Sequence, residues 1–153
     1  MIKKYILKLM TLFVASLLTI SCNGGGWVTI FNGKNLEGWI QKMGTGTYRV
    51  ENGAIIGKTE IGSPNSFLCT EKEYSDFELK LEVKLLNDEL NSGIQVRSGM
   101  SDEEDGGGSK RVVGSQVEIS ATGPGGNKKS GYIWFEADKS QRGWMNPKEE
   151  VVP

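Results

Sequence analysis

The sequence predicts an all-β fold, a sandwich of two antiparallel sheets. Three observations carry that expectation. Glycine is abundant, at 21 of 153 residues, alanine is sparse, and the apolar runs are short. Seven or so short segments alternate apolar and polar residues with period two, and turn residues separate them. After the first 21 residues no helical period of useful length occurs, which excludes a helix bundle or a nucleotide-binding α/β fold. The segments show no internal repeat, which argues against a propeller or solenoid. The length gives room for one domain.

The chain opens on an export leader. Lys3, Lys4 and Lys8 make a positive start, and an apolar stretch from Met10 to Ile20 leads to Ser21-Cys22. The stretch is shorter than the roughly 20 apolar residues a membrane span needs. Residues 1–21 are therefore expected to lie outside the fold. The ending LLTISC resembles a bacterial lipobox, with Thr19 where such boxes usually carry Leu. That resemblance makes Cys22 the lipidated residue and 23–26 (NGGG) a flexible tether, with plain secretion as the alternative. Cys69 would then be the one remaining thiol, read as a small buried apolar residue in SFLCT.

The domain is expected over 27–153. WVTIF (27–31) reads as a strand closed by the Asn32-Gly33 turn. TYRVENGAIIG (47–57) reads as a hairpin with a type I′ turn at Asn52-Gly53. NSFLCT (65–70) is a further short strand. In DFELKLEVKLL (76–86), Phe77, Leu79, Leu81, Val83 and Leu85 alternate with Glu78, Lys80, Glu82 and Lys84. Those nine residues of strict alternation predict one long strand with a buried and a solvated face. NSGIQVRS (91–98) repeats the pattern, and SDEEDGGGSK (101–110) reads as a solvated acidic loop without calcium-loop spacing. VVGSQVEIS is a strand whose polar side carries Gln116 and Glu118. A second loop spans 121–130, and SGYIWFEAD (130–138) is the next strand. QRGWMNPKEEVVP has no clear period.

Composition narrows the chemistry. The chain has no histidine, so histidine triads, ligands and bases are excluded. Acid–base work falls to Asp, Glu, Lys, Tyr or Cys. Removal of the leader leaves 15 basic and 19 acidic side chains, a net charge of −4. No basic excess or basic-aromatic patch points to nucleic acid. The glycine clusters at 106–108 and 125–126 do not join a strand to a helix and so are not phosphate loops.

FNGKNLEGW, VENGAIIG, FLCTEKEYSDFELKLEVKL, NSGIQVRS, VVGSQVEI, SGYIWFE and GWMNP follow one another in the order found in the DUF1080 family, also called 3-keto-disaccharide hydrolases. Each motif is weak alone; the series resembles the family over most of the mature chain. The resemblance implies a concanavalin A-like jelly roll, like that of laminarinases and legume lectins. It also implies an exported hydrolase of bacterial carbohydrate metabolism, periplasmic or lipid-anchored at the outer membrane. Family members continue past the GWMNP-like segment with two more strands, so the jelly roll is expected to be incomplete at the C-terminus, with exposed strand edges.

In such a sandwich the open face of the concave sheet binds saccharide. Residues of one parity on neighbouring strands supply Asn91, Gln95 and Arg97, then Gln116 and Glu118, then Tyr132, Trp134 and Glu136. Amides and carboxylates bind hydroxyls, a guanidinium forks onto oxygen, and an aromatic ring stacks on sugar C–H groups. Arg97, Gln116 and Glu118 match the family's NSGI-x-x-R and GxQxEI motifs. The resemblance therefore implies Glu118 as a base that removes the C2 proton of a 3-keto-glycoside. Arg97 or a divalent cation would polarise the ketone. No cofactor is otherwise implied. Two alternatives stand beside this. Hydrolysis by two carboxylates, such as Glu118 and Glu136, needs them roughly 5–9.5 Å apart. A non-catalytic sugar-binding lipoprotein module would use the same floor without turnover. Each polar residue also has a plain reading as the wet side of a sheet, Trp134 as a packing residue, and Arg97 with Glu118 as a cross-strand ion pair.

Overall fold

A computed structural model describes the backbone at 3–7 and 102–104, and backbone and side chains at 26–87, 89–101, 110–121, 128–136 and 142–145. Every regular element among these is a strand. The chain is all-β, and its sheets are mostly antiparallel, consistent with a jelly-roll sandwich. It divides into two compact units, Met1–Val83 and Lys84–Pro153.

The first unit holds β1 (Lys3–Leu7), β2 (Trp27–Thr29), β3 (Trp39–Lys42), β4 (Thr47–Glu51), β5 (Ala54–Lys58), β6 (Phe67–Thr70) and β7 (Phe77–Leu81). The β4–β5 hairpin forms as the sequence predicts. Asn52 and Gly53 both take positive φ, 50° and 76°, as a type I′ turn requires. β3 and β6 pair antiparallel, and the Tyr48 hydroxyl donates to the Ser66 carbonyl at 2.8 Å, tying the hairpin to the start of β6. Phe31 and Ala54 are its buried apolar side chains.

Two features of this unit differ from expectation. Strand β7 ends at Leu81, although the alternation continues to Leu85. Its partner among the described residues is β1, paired from Lys3↔Phe77 to Leu7↔Leu81. Alternation prepares a face, but a strand extends only as far as a neighbour can take its hydrogen bonds. The second difference is β1 itself. It lies inside the expected leader, and its backbone pairs in parallel with both β7 and β2. Cys22 and positions 23–25 of the tether fall outside the described residues.

Among its described residues the second unit holds a four-stranded antiparallel sheet in the order β11-β10-β9-β8. Its strands are β8 (Asn91–Glu104), β9 (Lys110–Ser120), β10 (Ile133–Glu136) and β11 (Gly143–Trp144). β8 runs into the segment expected as an acidic loop, and Glu104 pairs with Lys110. β11 is too short to show a period, so the sequence did not reveal it. Register shifts break the β8–β9 ladder between Val96 and Gly99 and between Met100 and Glu104. At the first break Arg97 adopts a left-handed φ of 52°.

A turn at Lys129–Tyr132 launches β10. The Tyr132 N–H donates to the Lys129 carbonyl at 2.9 Å, and Gly131 sits at φ 86°, where a side chain would be strained. Gly131 N–H then donates to the Glu118 carbonyl, and Glu118 N–H to the Tyr132 carbonyl, at 2.8 and 2.9 Å. Two residues of one strand thus oppose Glu118, which is a β-bulge with glycine first.

Candidate functional site

Register decides which side chains share a face. Gln95, Gln116, Trp134 and Trp144 are Cα partners on successive strands, so they form one row across the sheet. Ile94, Val117 and Ile133 make the corresponding row on the other face. The next row toward the start of β8 pairs Gly93 with Glu118, and the bulge sets Tyr132 beside Glu118. The parity expected from sequence for Gln95, Gln116, Glu118, Tyr132 and Trp134 is the parity the structure shows.

Glu118 is the floor of this row, only 3% exposed. Asn91 Nδ2 donates to its Oε1 at 2.8 Å, and Gln116 Nε2 to its Oε2 at 2.9 Å. The Gln116 contact has room because Gly93 has no side chain: a Cβ there would run into the Gln116 side chain. Each carboxylate oxygen keeps a second lone pair after one such bond. Because the carboxylate accepts, each amide turns its N–H inward, which fixes the amide orientation.

Glu136 belongs to a different row, opposite Gly114. It is 5% exposed. Arg111 donates to its Oε1 at 2.6 Å, Arg142 lies 3.3 Å from the same oxygen, and Trp134 Nε1 donates to Oε2 at 2.9 Å. A buried carboxylate is tolerated when it is paired and its oxygens are bonded, and this one is. The plain reading of Glu118 and Glu136 as a solvated face is thereby overturned, since both are buried. Sequence reasoning missed Arg111 and Arg142, because the strand pattern carries no sign of which cations reach which carboxylate.

The aromatic residues gather at the β10–β11 edge. Trp134 and Trp144 meet edge to face with ring centres 5.0 Å apart and planes at 69°. Tyr132 and Trp144 meet at 6.2 Å and 88°. Trp134 is held from both sides, by Glu136 and by Trp144. Trp144 is the more open ring, 38% exposed. The Lys129 ammonium lies 5.0 Å from the Tyr132 ring centre and 5.3 Å from that of Trp144. Neither Lys129 nor Trp144 was foreseen, because turn residues and two-residue strands have no parity to read.

A family model, that of the 3-keto-alpha-glucoside-1,2-lyase-like domain, matches residues 26–152. The chain belongs to that family. No curated protein matches it. Membership supports a glycoside hydrolase-like role and the binding of sugar by this lyase-like domain.

Within the lyase-like domain, Arg97 does not share a row with Glu118. Val96 pairs with Ser115; beyond it Ser98 is the β8 residue against Gly114, and Arg97 falls in the register break. It lies four residues beyond Gly93, roughly 13 Å along the strand. Glu118 and Glu136 are separated by a similar backbone distance, since Gly114, the partner of Glu136, is four residues from Glu118. The Gln116–Trp134 row lies between them. Gln95, beside Gln116, has both amide atoms buried without a hydrogen-bond partner. Among the described residues no group of three or more Cys, Asp or Glu side chains is placed to hold a metal ion.

Proposed function

We propose that the domain cleaves 3-keto-glycosides, such as 3-keto-disaccharides, by elimination and hydration, with Glu118 as the base. The observation that carries the reading is the Glu118 carboxylate, held by Asn91 and Gln116 on the face that also bears Tyr132, Trp134 and Trp144, in a chain of this family.

The chemistry follows from the ketone. A carbonyl at C3 acidifies the hydrogen at C2. Glu118 takes that proton, the C–H pair becomes the C2=C3 bond, and the carbonyl pair moves onto the C3 oxygen. The enolate then reforms its carbonyl. Its pair becomes the C1=C2 bond, and the C1–O bond breaks with both electrons going to the leaving oxygen, which takes up a proton. Water adds its oxygen to C1 and returns a proton to C2. The net change is hydrolysis, with no oxidant consumed. Asn91, Gln95 and Gln116 supply amide groups for hydroxyls, and the aromatic edge supplies a stacking surface.

Glycosidase chemistry with Glu118 and Glu136 as a carboxylate pair is disfavoured. Glu136 is locked by two arginines and an indole. The localisation follows the leader: an exported protein, anchored through a lipid on Cys22.

The test is to incubate the protein with 3-keto-trehalose and, separately, with trehalose. Release of sugar from the keto form alone is expected, and Glu118→Gln should lower the rate by about 10²–10⁴-fold. Full activity of that variant would remove Glu118 as the base. Binding of either sugar without turnover would leave a non-catalytic sugar module.

A further inference from the structure

The elimination needs a positive group at the ketone oxygen as well as a base. Motif order suggested Arg97. Arg97 falls in the register break beyond Val96, on the Glu136 side of the Gln116–Trp134 row. Among the described residues, a cation that meets the aromatic rings on the Glu118 side of that row is Lys129.

Its position follows from the local chain. Lys129 is the first residue of the turn whose fourth, Tyr132, is bulged against Glu118. The two ends of a β-turn lie within about 7 Å, so Lys129 has little choice but to stand near Tyr132. Tyr132 and Trp144 meet at 88°, and the ammonium sits in the corner, 5.0 and 5.3 Å from the two ring centres. Aromatic faces attract a cation, and a ligand that excludes water there strengthens every charge around it. Glu118 is on the adjacent strand, directly across from Tyr132. A pyranose against Tyr132 and Trp144 would therefore have a carboxylate on one side and an ammonium on the other.

We propose that Lys129 is the electrophilic residue of the site: its ammonium donates to the C3 ketone oxygen of a 3-keto-pyranoside held against Tyr132 and Trp144, and stabilises the enolate oxygen as Glu118 removes the C2 proton. The assignment rests on the keto-glycoside reading above. No proton need leave Lys129; the oxygen gains its charge from the C–H pair and loses it when the C1–O bond breaks. Trp144 supplies the outer wall and fixes the ring that Lys129 faces.

The experiment compares wild type, Lys129→Met, Lys129→Arg and Arg97→Gln, each checked for folding by circular dichroism. Rates are measured on 3-keto-trehalose. Binding of 3-keto-trehalose and trehalose is measured by tryptophan fluorescence in a Glu118→Gln background, where turnover is suppressed. Lys129→Met should lower kcat by about 10²–10³-fold, the usual effect of losing one oxyanion donor. It should also erase the preference for keto over unoxidised sugar, and Lys129→Arg should restore part of both. A structural role alone would weaken both sugars equally. The assignment is overturned if folded Lys129→Met keeps its rate and its keto preference, or if Arg97→Gln carries the loss instead. If wild-type protein neither cleaves the keto-sugar nor prefers it, the keto-glycoside reading itself fails and Lys129 falls with it.

Discussion

Gln116 and Trp134 face each other across β9 and β10, yet their N–H groups serve different carboxylates. Gln116 Nε2 reaches Glu118 at 2.9 Å, and Trp134 Nε1 reaches Glu136 at 2.9 Å. The row they form divides one polar face into two environments. On one side a carboxylate is held by neutral amides. On the other a carboxylate is held by two guanidinium groups and an indole. The second is a fastening.

Gly93 is predicted to be intolerant of a side chain. A Cβ there would collide with the methylene and amide carbon of Gln116, which is part of the hold on Glu118. Gly93→Ala should fold but bind keto-sugar more weakly, by about tenfold if one charge-assisted hydrogen bond, worth about 1.5–3 kcal/mol, is partly lost. Isothermal titration with 3-keto-trehalose checks this. Unchanged affinity would mean that the Gln116 contact does not matter for binding.

Glu136 is predicted to matter for stability more than for catalysis. Glu136→Gln strands Arg111, whose side chain is 14% exposed, without its carboxylate. Breaking a buried pair by removing one partner costs about 3–5 kcal/mol. The midpoint of urea unfolding should fall accordingly, while the rate per folded molecule on 3-keto-trehalose stays within a few-fold. A stable variant that has lost its activity would instead place Glu136 in the chemistry.

Alkaline pH should destabilise the first unit. Burial raises the Tyr48 hydroxyl above its usual value of 10.0, and the nearby Cys69 adds to this. Burial likewise raises the Cys69 thiol above 9.0, with Lys42 opposing. Both groups stay neutral longer in the folded chain than in the unfolded one. Their stabilisation is therefore complete below the unfolded thiol value and is lost as pH rises through the folded values. Urea midpoints should be level from pH 7 to 8.5 and fall above pH 9, and Cys69→Ala should remove part of the fall. A flat profile to pH 11 would contradict the shifts.

Export should decide the fate of β1. The leader reading predicts cleavage before Cys22 and a lipid on its sulfur, seen as an N-terminal mass shift in intact-protein mass spectrometry. Such processing would remove Lys3–Leu7, the common neighbour of β2 and β7. Hydrogen exchange at Phe77–Leu81 should then be faster in the processed protein than in the precursor. A mature chain that still begins near Lys3 would make β1 a permanent strand and refute the leader.

The period-two alternation, the Asn52-Gly53 turn and the order of motifs were sufficient to read an all-β chain of this family and to put Gln116, Glu118, Tyr132 and Trp134 on one face. Those properties are local: parity follows from the geometry of a single strand, and a type I′ turn from residues that accept positive φ. The sequence could not say how far β7 would run, because that depends on which neighbour takes its hydrogen bonds. Nor could it say that Arg97 would fall at a break in the β8–β9 ladder while Lys129 stood beside Tyr132. Parity gives the face, but the level along a neighbouring strand is set by bulges and turns, and one extra residue at a bulge moves everything beyond it. That level, fixed only by tertiary pairing, separates a carboxylate fastened by arginines from one held by the amides of Asn91 and Gln116.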